Sequence, residues 1–283
     1  MDSTDAAMPA SAHVGRVGLA VNDLDAMVQF YADVVGLHVR SRDDDSATLG
    51  AGGDPLLVLR ADPDAPERGR EEAGLFHTAF RLPARAALGD ALNRVQDRWQ
   101  LSGASNHLVS EALYLSDPEG NGVEIYWDRP REEWPVTDEG RVGMDTLPLE
   151  LDGLRAVAAG DDAVPPDTDV GHVHLEVTNL GGGAREFYVD GLGLGVRQAF
   201  GDAALFVAAG EYHHHVGLNT WNGRSGPASA DSRGLDWFEL VVPDEAALDT
   251  VRSRLIDQGA AVESTDGGLA LSDADGIGLR LRR

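Results

Sequence analysis

The chain has 283 residues and a formal net charge of -25, and its 23 basic residues are all arginines because it contains no lysine. A polyanion of this kind is repelled by nucleic acid and by anionic membranes, so neither is expected as a partner. The absence of cysteine excludes disulfides, thiolate metal sites and cysteine nucleophiles, so that any bound metal must take nitrogen and oxygen ligands.

The acidic residues do not indicate disorder, because 42% of the chain is hydrophobic and the apolar positions are periodic. A hydrated carboxylate surface suits a protein that works in concentrated salt, where screening removes the self-repulsion. Residues 1–12 lack the basic and apolar regions of a signal peptide and are expected to form a disordered tail. No apolar run reaches about 18 residues. We therefore expect a halophilic, cytoplasmic protein.

The first predicted elements follow this tail. The segment HVGRVGLAVNDL, residues 13–24, predicts a strand and then a turn in which Asn22 or Asp23 caps a helix that Gly36 ends. The apolar face of this helix is formed by Leu24, Met27, Val28, Tyr31 and Val35.

A second unit starts at residue 74. The segment GLFHTAFRLPARAAL predicts a strand followed by an amphipathic helix with Leu88, Leu92, Val95 and Trp99 on one side, and LSDPEGNGVEIYW predicts a tight turn that leads into an alternating strand. The first strand contains His77. Taken alone, a strand histidine is more often a core residue with satisfied hydrogen bonds than a metal ligand, so the rest of the chain has to supply other ligands.

The chain then repeats this plan. Residues 129–168 are rich in Pro, Gly and Asp and indicate a linker with one short helix in LELDGLRAVAA. Beyond it, DVGHVHLEVTNL matches the first motif, GLDWFELVVPDEAAL the second, and LSDADGIGLRLRR the turn and strand. Four units, each a strand, a helix and two or three further strands, therefore predict domains at residues 12–128 and 169–283.

These repeats resemble the vicinal oxygen chelate superfamily, which includes glyoxalases, bleomycin resistance proteins and extradiol dioxygenases. The segments SEALYLSDPEGNGVEIYWDRPREEWP, GEYHHHVGLNTW and GLFHTAFRLP are similar to the four-module group that resembles bacterial catechol 2,3-dioxygenase. The resemblance implies an α+β fold in which four βαβββ modules form two curved-sheet domains around a metal.

In that superfamily the metal ligands come from the first and last strands of a module. Carried over by position, the first strands offer Arg16, His77, His172 and Trp237, and the last strands offer one of Leu56 to Val58, Glu124, one of His213 to His215, and Arg280. Arginine stays protonated and indole offers no lone pair, so neither can coordinate a metal ion, and only the two middle modules retain ligands.

The resemblance thus implies a metal held by His77, Glu124, His172 and His215, shared by the second and third modules within one chain or across the interface of a homo-oligomer. Two histidines and a carboxylate that leave open positions suit Fe(II), with Mn(II), Ni(II) or Zn(II) as alternatives. Hydrogen bonding inside a sheet is the other interpretation of His172 and of His174, two residues further along the strand.

Further residues are predicted to line the catalytic cavity. Strand alternation would place His213 and His215 on one face and His214 on the other, as acid, base or orienting groups, unless the three form a surface patch. His107 precedes the strand that leads to the DPEGNG turn, where the alternative is an exposed loop histidine. Tyr126 shares the face of Glu124, with core packing as the alternative.

The function implied by the resemblance is metal-dependent extradiol cleavage of a catechol-type aromatic diol by O2. A glyoxalase-type lyase or isomerase would use the same fold without oxygen. A metal-free protein that binds a small aromatic compound is a third alternative, although buried ionisable groups are costly to retain without a role.

Overall fold

The computed structural model describes residues 7–283. Residues 1–6, half of the expected tail, lie outside this range. Within it the expectation of a tail is wrong, because Met8 and Ala12 are buried and the backbone amide of Met8 donates to the carbonyl oxygen of Gly193 at 2.8 Å. No helix in residues 7–283 is long and apolar enough to cross a membrane.

The described chain forms 17 strands and four α-helices. The strands are β1 (His13–Val21), β2 (His38–Arg42), β3 (Ser46–Ala51), β4 (Asp54–Ala61), β5 (Gly74–Leu82), β6 (Gly103–Asn106), β7 (Ser110–Ser116), β8 (Gly122–Asp128), β9 (Leu147–Pro148), β10 (Asp169–Glu176), β11 (Gly195–Phe200), β12 (Ala204–Ala208), β13 (Val216–Asn219), β14 (Gly234–Val241), β15 (Glu263–Thr265), β16 (Gly268–Ser272) and β17 (Gly278–Arg282). The helices are α1 (Leu24–Phe30), α2 (Arg85–Arg98), α3 (Leu151–Arg155) and α4 (Glu245–Asp257), with π-helical turns at Tyr31–Val35, Leu180–Ala184 and Glu186–Gly191 and a 3-10 turn at Arg131–Glu133.

Four βαβββ modules account for nearly all of these elements, which confirms the predicted fold class. They begin at β1, β5, β10 and β14, and each places a helical segment before three strands. The strands form an eight-stranded sheet in the order β15-β16-β17-β14-β1-β4-β3-β2 and a nine-stranded sheet in the order β11-β12-β13-β10-β5-β8-β7-β6-β9. The second and third modules therefore contribute to the same sheet.

The helix of the first module forms as its sequence predicts. Asp23 caps it, since its carboxylate accepts a hydrogen bond from the amide of Ala26 at 2.9 Å, whereas Asn22 donates its side-chain amide to the carbonyl oxygens of Asp62 and Ala65. Gly36 ends the helix with φ of +93°, a conformation that other residues adopt only with strain.

Helix α2 also buries its predicted face, with Leu88, Leu92 and Val95 fully inaccessible to solvent. Trp99, just beyond the helix, remains half exposed; its ring packs edge-on against Phe30. The third module is less regular. Its helix is replaced by two π-helical turns, because it starts with three consecutive glycines, which lower helix propensity.

One compact unit of the chain consists of residues 18–65 and 77–171. It includes the segment predicted to be a linker, which is packed against the modules: β9 pairs with β6, Leu154 of α3 is fully buried, and the amide of Gly160 donates to Asp90 at 2.6 Å. The helix expected in LELDGLRAVAA is confirmed as α3. The domain limits at 128 and 169 stay a prediction.

The other compact unit consists of the described residues up to Val17 together with 66–76 and 172–283. It contains the third and fourth modules. Residues 66–76 are part of it through short backbone contacts with the loop after β13, among them hydrogen bonds from the amides of Ser225 and Gly226 to the carbonyl oxygen of Glu71 at 2.9 and 2.8 Å.

Two buried aspartates hold equivalent turns in the second and fourth modules. Asp117 accepts backbone hydrogen bonds from Glu119 and Asn121 and the hydroxyl proton of Tyr31, and Asp273 accepts the hydroxyl of Tyr188 at 2.9 Å. Burial raises the pKa of each carboxyl to about 6, although these hydrogen bonds oppose the shift. Both groups are therefore more easily protonated in the folded protein than at the ordinary value of 3.8.

These aspartates predict that acidification through pH 6 stabilises the turns. Because the folded-state pKa lies above the unfolded one, the stabilisation is lost as the pH rises through the folded value; each carboxyl should add about 1 kcal/mol between about pH 7 and about pH 5. Urea unfolding of Asp117→Asn at both pH values should show a gain smaller by about that amount. The exposed control Asp202→Asn should keep the full gain. An unchanged pH dependence in Asp117→Asn would refute the assignment.

Candidate metal centre

The second module brings together the first two predicted ligands. Strands β5 and β8 pair in parallel with Ala79 opposite Glu124, so His77 and Glu124 lie diagonally on one face. Nε2 of His77 is 2.9 Å from Oε2 of Glu124. Their relative exposures are 5% and 3%, so water is largely excluded from both groups.

His172 on β10 completes this group. One potential ligand atom from each of His77, Glu124 and His172 lies within 4.8 Å of the other two, and His172 is only 2% exposed. Two imidazole nitrogens and one carboxylate oxygen are a donor set that suits Fe(II), Mn(II), Ni(II) or Zn(II), and three ligands would leave further positions for substrate. The donor set thus fits the divalent ion expected from the sequence.

The fourth predicted ligand is not part of this group. Among residues 7–283 the group has three members, and Nδ1 of His215 accepts the backbone hydrogen bond of Ala209 at 3.1 Å. The three histidines also precede β13 in an irregular loop, so the prediction from strand alternation is wrong. The alternative of a surface patch is wrong as well, because His213, His214 and His215 are all buried.

The register of the third module explains this difference. His174, two residues after His172, pairs with Gly217, just as Ala79, two residues after His77, pairs with Glu124. Gly217 therefore occupies the position equivalent to Glu124. A Cβ at Gly217 would approach the imidazole carbons of His174 to 2.9 Å, so the ring of His174 fills the space that a ligand would need.

Two histidines of the loop contact the metal-ligand face. The rings of His172 and His214 have centroids 4.1 Å apart, and Nδ1 of His213 is 2.8 Å from Nδ1 of His214. This short contact requires one of the two nitrogens to carry the proton and the other to accept it. His213 and His214 therefore form a hydrogen-bonded pair that can hold and pass a proton beside His172.

Tyr114 on β7 is a residue that the sequence analysis missed. It pairs directly with Glu124, and its hydroxyl donates to that carboxylate while also lying 2.6 Å from Nε2 of His107. Burial, reinforced by the charge of Glu124, raises the pKa of Tyr114 well above its usual value, so its proton is retained. The alternation in SEALYLS predicts on which side of the strand Tyr114 lies, although alternation does not distinguish a tyrosine of the site from one of the core.

His107 lies in the β6–β7 turn, ahead of the strand as predicted. Its Nδ1 is 2.8 Å from the carbonyl oxygen of Asp145, and Nε2 contacts the hydroxyl of Tyr114. The residue is half buried, unlike an exposed loop histidine. His107, Tyr114 and Glu124 therefore form a continuous chain of hydrogen bonds that ends at the metal-ligand group.

Tyr126 is fully buried and packs in a cluster with Ala79, Ala112 and Tyr114. Its hydroxyl lies where a Cβ of Gly171 would be, so residue 171 has to be glycine for the phenol to fit beside the residue that precedes His172. The predicted alternative of core packing describes its surroundings, while its role towards substrate stays a prediction.

Aromatic side chains extend outwards from the face that carries His172. Phe206 contacts His214 at a centroid distance of 4.9 Å and His174 at 5.5 Å, and His174 in turn contacts Trp221 at 5.1 Å and Phe76 at 5.2 Å. Trp221 is 51% exposed. A continuous aromatic wall therefore connects the ring beside the ligand His172 with the solvent.

Glu176 fixes the outer part of this aromatic wall. Its carboxylate, 1% exposed, accepts hydrogen bonds from Nη2 of Arg68 at 2.8 Å and from Nε and Nη2 of Arg224 at 3.0 and 2.8 Å. The side-chain amide of the residue after Trp221 also donates to it. Arg68 lies in the loop that leads to Phe76, so one buried carboxylate positions both aromatic segments.

The fold and the site together define a protein of paired βαβββ modules that carries a potential metal-ligand group. A model of the Glyoxalase/Bleomycin resistance protein/Dioxygenase superfamily matches residues 13–125. The chain is 42% identical over 270 residues to catechol-2,3-dioxygenase of Bacillus subtilis, covering 92% of this chain and 93% of that protein. It is 30% identical over 154 residues to biphenyl-2,3-diol 1,2-dioxygenase 3 of Rhodococcus globerulus, covering 52% and 81%.

A crystal structure of a protein from Bacillus subtilis has the same fold, with a TM-score of 0.67 and 14% identity over 98% of this chain and 86% of that one. The chain therefore belongs to the glyoxalase, bleomycin resistance and dioxygenase superfamily. The family resemblance expected from the sequence is confirmed.

The ligand group predicts that each of its members is needed for metal binding. Exchange of His77 for Gln, Glu124 for Gln or His172 for Gln should weaken divalent-ion binding by more than about 100-fold, because even supporting residues contribute 10–100-fold. Elemental analysis after dialysis, with titration by Mn(II), measures the effect. His38→Gln, at an exposed position on β2, should retain the metal. Full metal content in any of the three ligand variants would rule out this centre.

Proposed function

We propose that this protein is a metal-dependent extradiol dioxygenase that cleaves a catechol-type aromatic diol with O2. The observation that supports this most directly is the buried group of His77, Glu124 and His172, with ligand atoms within 4.8 Å of one another. The function predicted from the sequence and the activity named for the Bacillus relative agree.

Fe(II) is the ion we propose for this group. When bound, Fe(II) would offer open positions to the diol and to O2 and would carry electron density from the diol to O2. The residues of the chain have other roles. Tyr114 keeps its proton and donates a hydrogen bond to Glu124, which fixes the orientation of the carboxylate, and His107 holds the tyrosine hydroxyl.

Proton transfer is assigned to the histidine pair. A diol loses at least one proton on binding and a ring-opened product regains one, so the reaction needs a group beside the ligands that can accept a proton and return it. The ring of His214 contacts that of His172 at a centroid distance of 4.1 Å, and His213 is hydrogen bonded to His214. We assign the proton transfer to His214, with His213 as its partner; roles for His215 and Tyr126 stay predictions.

The aromatic wall suggests the kind of diol. Phe206 and the half-exposed Trp221 offer ring faces and edges beyond the histidines, and such surfaces bind apolar or aromatic groups by stacking. The wall itself consists of rings, and the charged groups that hold its outer part, Glu176 with Arg68 and Arg224, are paired with one another. The whole chain has a net charge of -25, which disfavours an anionic substituent. We propose a catechol with an uncharged alkyl or aryl substituent.

The setting of this activity is part of the same proposal. The acidic surface suits a cytoplasm with concentrated salt. Neither nucleic acid nor a membrane is proposed as a partner, and a homo-oligomer is not needed to complete the ligand group, since all three ligands belong to one chain.

The activity test is oxygen uptake with catechol by protein reconstituted with Fe(II). Consumption of O2 should match consumption of catechol, and His214→Asn should lower kcat by about 100-fold or more while the metal is retained, because a general acid or base contributes about that factor. The exposed variant His38→Asn is the control. Turnover of a glutathione hemithioacetal without O2 would indicate the glyoxalase alternative, and failure to bind any divalent ion would indicate the metal-free binding protein.

The substrate class is tested with Trp221→Ala. This variant should lower kcat/KM for phenylcatechol by about 10-fold, because stacking and burial against an indole contribute on the order of 1 kcal/mol or more, and should leave unsubstituted catechol within about twofold. Ile256→Ala, which shortens an equally exposed apolar side chain on α4, is the matched control. Equal losses for both substrates would contradict the assignment.

A further inference from the structure

The fourth module carries a second set of side chains at the positions of the metal ligands. Glu239 pairs with Arg280, as Ala79 pairs with Glu124, so Arg280 occupies the place of the ligand carboxylate. Two residues before Glu239 stands Trp237, in the place of His77. On β1 the aligned motifs put Arg16 in the place of His172.

These side chains are close together. The guanidinium carbon of Arg280 lies 3.8 Å above the ring centroid of Trp237, and that of Arg16 lies 5.7 Å from the same centroid. The opposite face of β14 and β17 is apolar core, formed by Phe238 and the leucines that flank it. Trp237 and the arginines therefore form a polar face on one side of this part of the sheet.

Positive charge is in excess on this face. Glu239 is buried and accepts hydrogen bonds from Nε and Nη2 of Arg16 at 2.9 and 2.6 Å, and Nη1 of Arg282 lies 3.5 Å from it. Within residues 7–283 the guanidinium of Arg280 makes no ion pair and no hydrogen bond; its neighbour is the indole face. Arg16 and Arg282 thus share the carboxylate of Glu239, and Arg280 and Asp236 add one charge of each sign. Three guanidinium groups therefore stand against two carboxylates, in a chain whose net charge is -25.

The electrostatic setting agrees with this count. Burial lowers the pKa of Arg280, and Arg16 and Arg282 lower it further against the opposing effect of Asp236 and Glu239. The side chain is half buried, and solvent can reach its nitrogens. A guanidinium in this situation is stabilised by an external anion.

We propose that this face binds a small organic carboxylate, held by the guanidinium of Arg280 beside Trp237. A guanidinium that lies flat on an indole has its N–H groups fixed in one plane, which matches the two oxygens of a carboxylate. The indole next to it favours a carboxylate with an apolar or aromatic remainder over an inorganic anion. This site is formed by residues other than those of the metal centre, and it does not depend on the proposed ring cleavage.

The experiment is titration of the full-length protein with benzoate at constant ionic strength, followed by calorimetry and tryptophan fluorescence. We expect saturable binding that Arg280→Gln weakens by about 10-fold or more, since a hydrogen bond to a charged group contributes that much. Arg280→Lys keeps the charge but not the planar pair of donors and should bind with intermediate affinity. Inorganic phosphate should bind to this face more weakly than benzoate does.

Two controls make the result decisive. Arg252→Gln removes one exposed positive charge from α4, outside this face, and should bind as the wild type does. Glu124→Gln disables the metal centre and should leave benzoate binding unchanged. Binding that is lost in Glu124→Gln but kept in Arg280→Gln would place the anion at the metal centre and overturn the proposal. An absence of saturable binding to the folded wild type would show that Arg280 only covers the indole.

Discussion

The burial of Glu124 beside His77 and His172 is the constraint on which the rest of the site depends. A carboxylate removed from water loses several kcal/mol of solvation, which its surroundings must replace. The hydroxyl of Tyr114 supplies one charge-assisted hydrogen bond, and a divalent ion shared with the two imidazoles would supply the remaining positive charge. Two glycines near this face leave room for rings: His174 lies over Gly217 and the phenol of Tyr126 over Gly171.

The internal repeats show how one backbone arrangement supports opposite electrostatics. Where the nine-stranded sheet presents donors for a cation, the equivalent positions of the eight-stranded sheet present Arg16 and Arg280 around Trp237. The change also moves the carboxylate across one strand pair at the same register, from Glu124 on the last strand of its module to Glu239 on the first. A few side chains, without any change of topology, therefore decide whether a face attracts positive or negative ligands.

The sequence predicted the parts of this structure that depend on local pattern and repetition. Matching motifs identified the modules, and the family resemblance, carried over by position, selected His77, Glu124 and His172, which the structure brings together. The pattern of three histidines failed as a guide, because β13 begins only at Val216 and nothing in the local composition marks that boundary. Long-range packing was also beyond its reach. The Pro-, Gly- and Asp-rich segment indicated a linker with one short helix, and the contacts by which β9 and α3 pack on the second module are defined only by the folded surface.

The clamp on Glu176 has a consequence for how the protein responds to its medium. Mobile ions weaken interactions between exposed charges within a few Å, but they reach a carboxylate enclosed by two arginines far less effectively. Exposed ion pairs such as Arg42 with Asp25 should weaken as ionic strength rises, while the segments that carry Phe76 and Trp221 stay bound to Glu176. The shape of the aromatic wall should therefore depend little on the salt concentration, although the acidic surface of the protein is fully exposed to it.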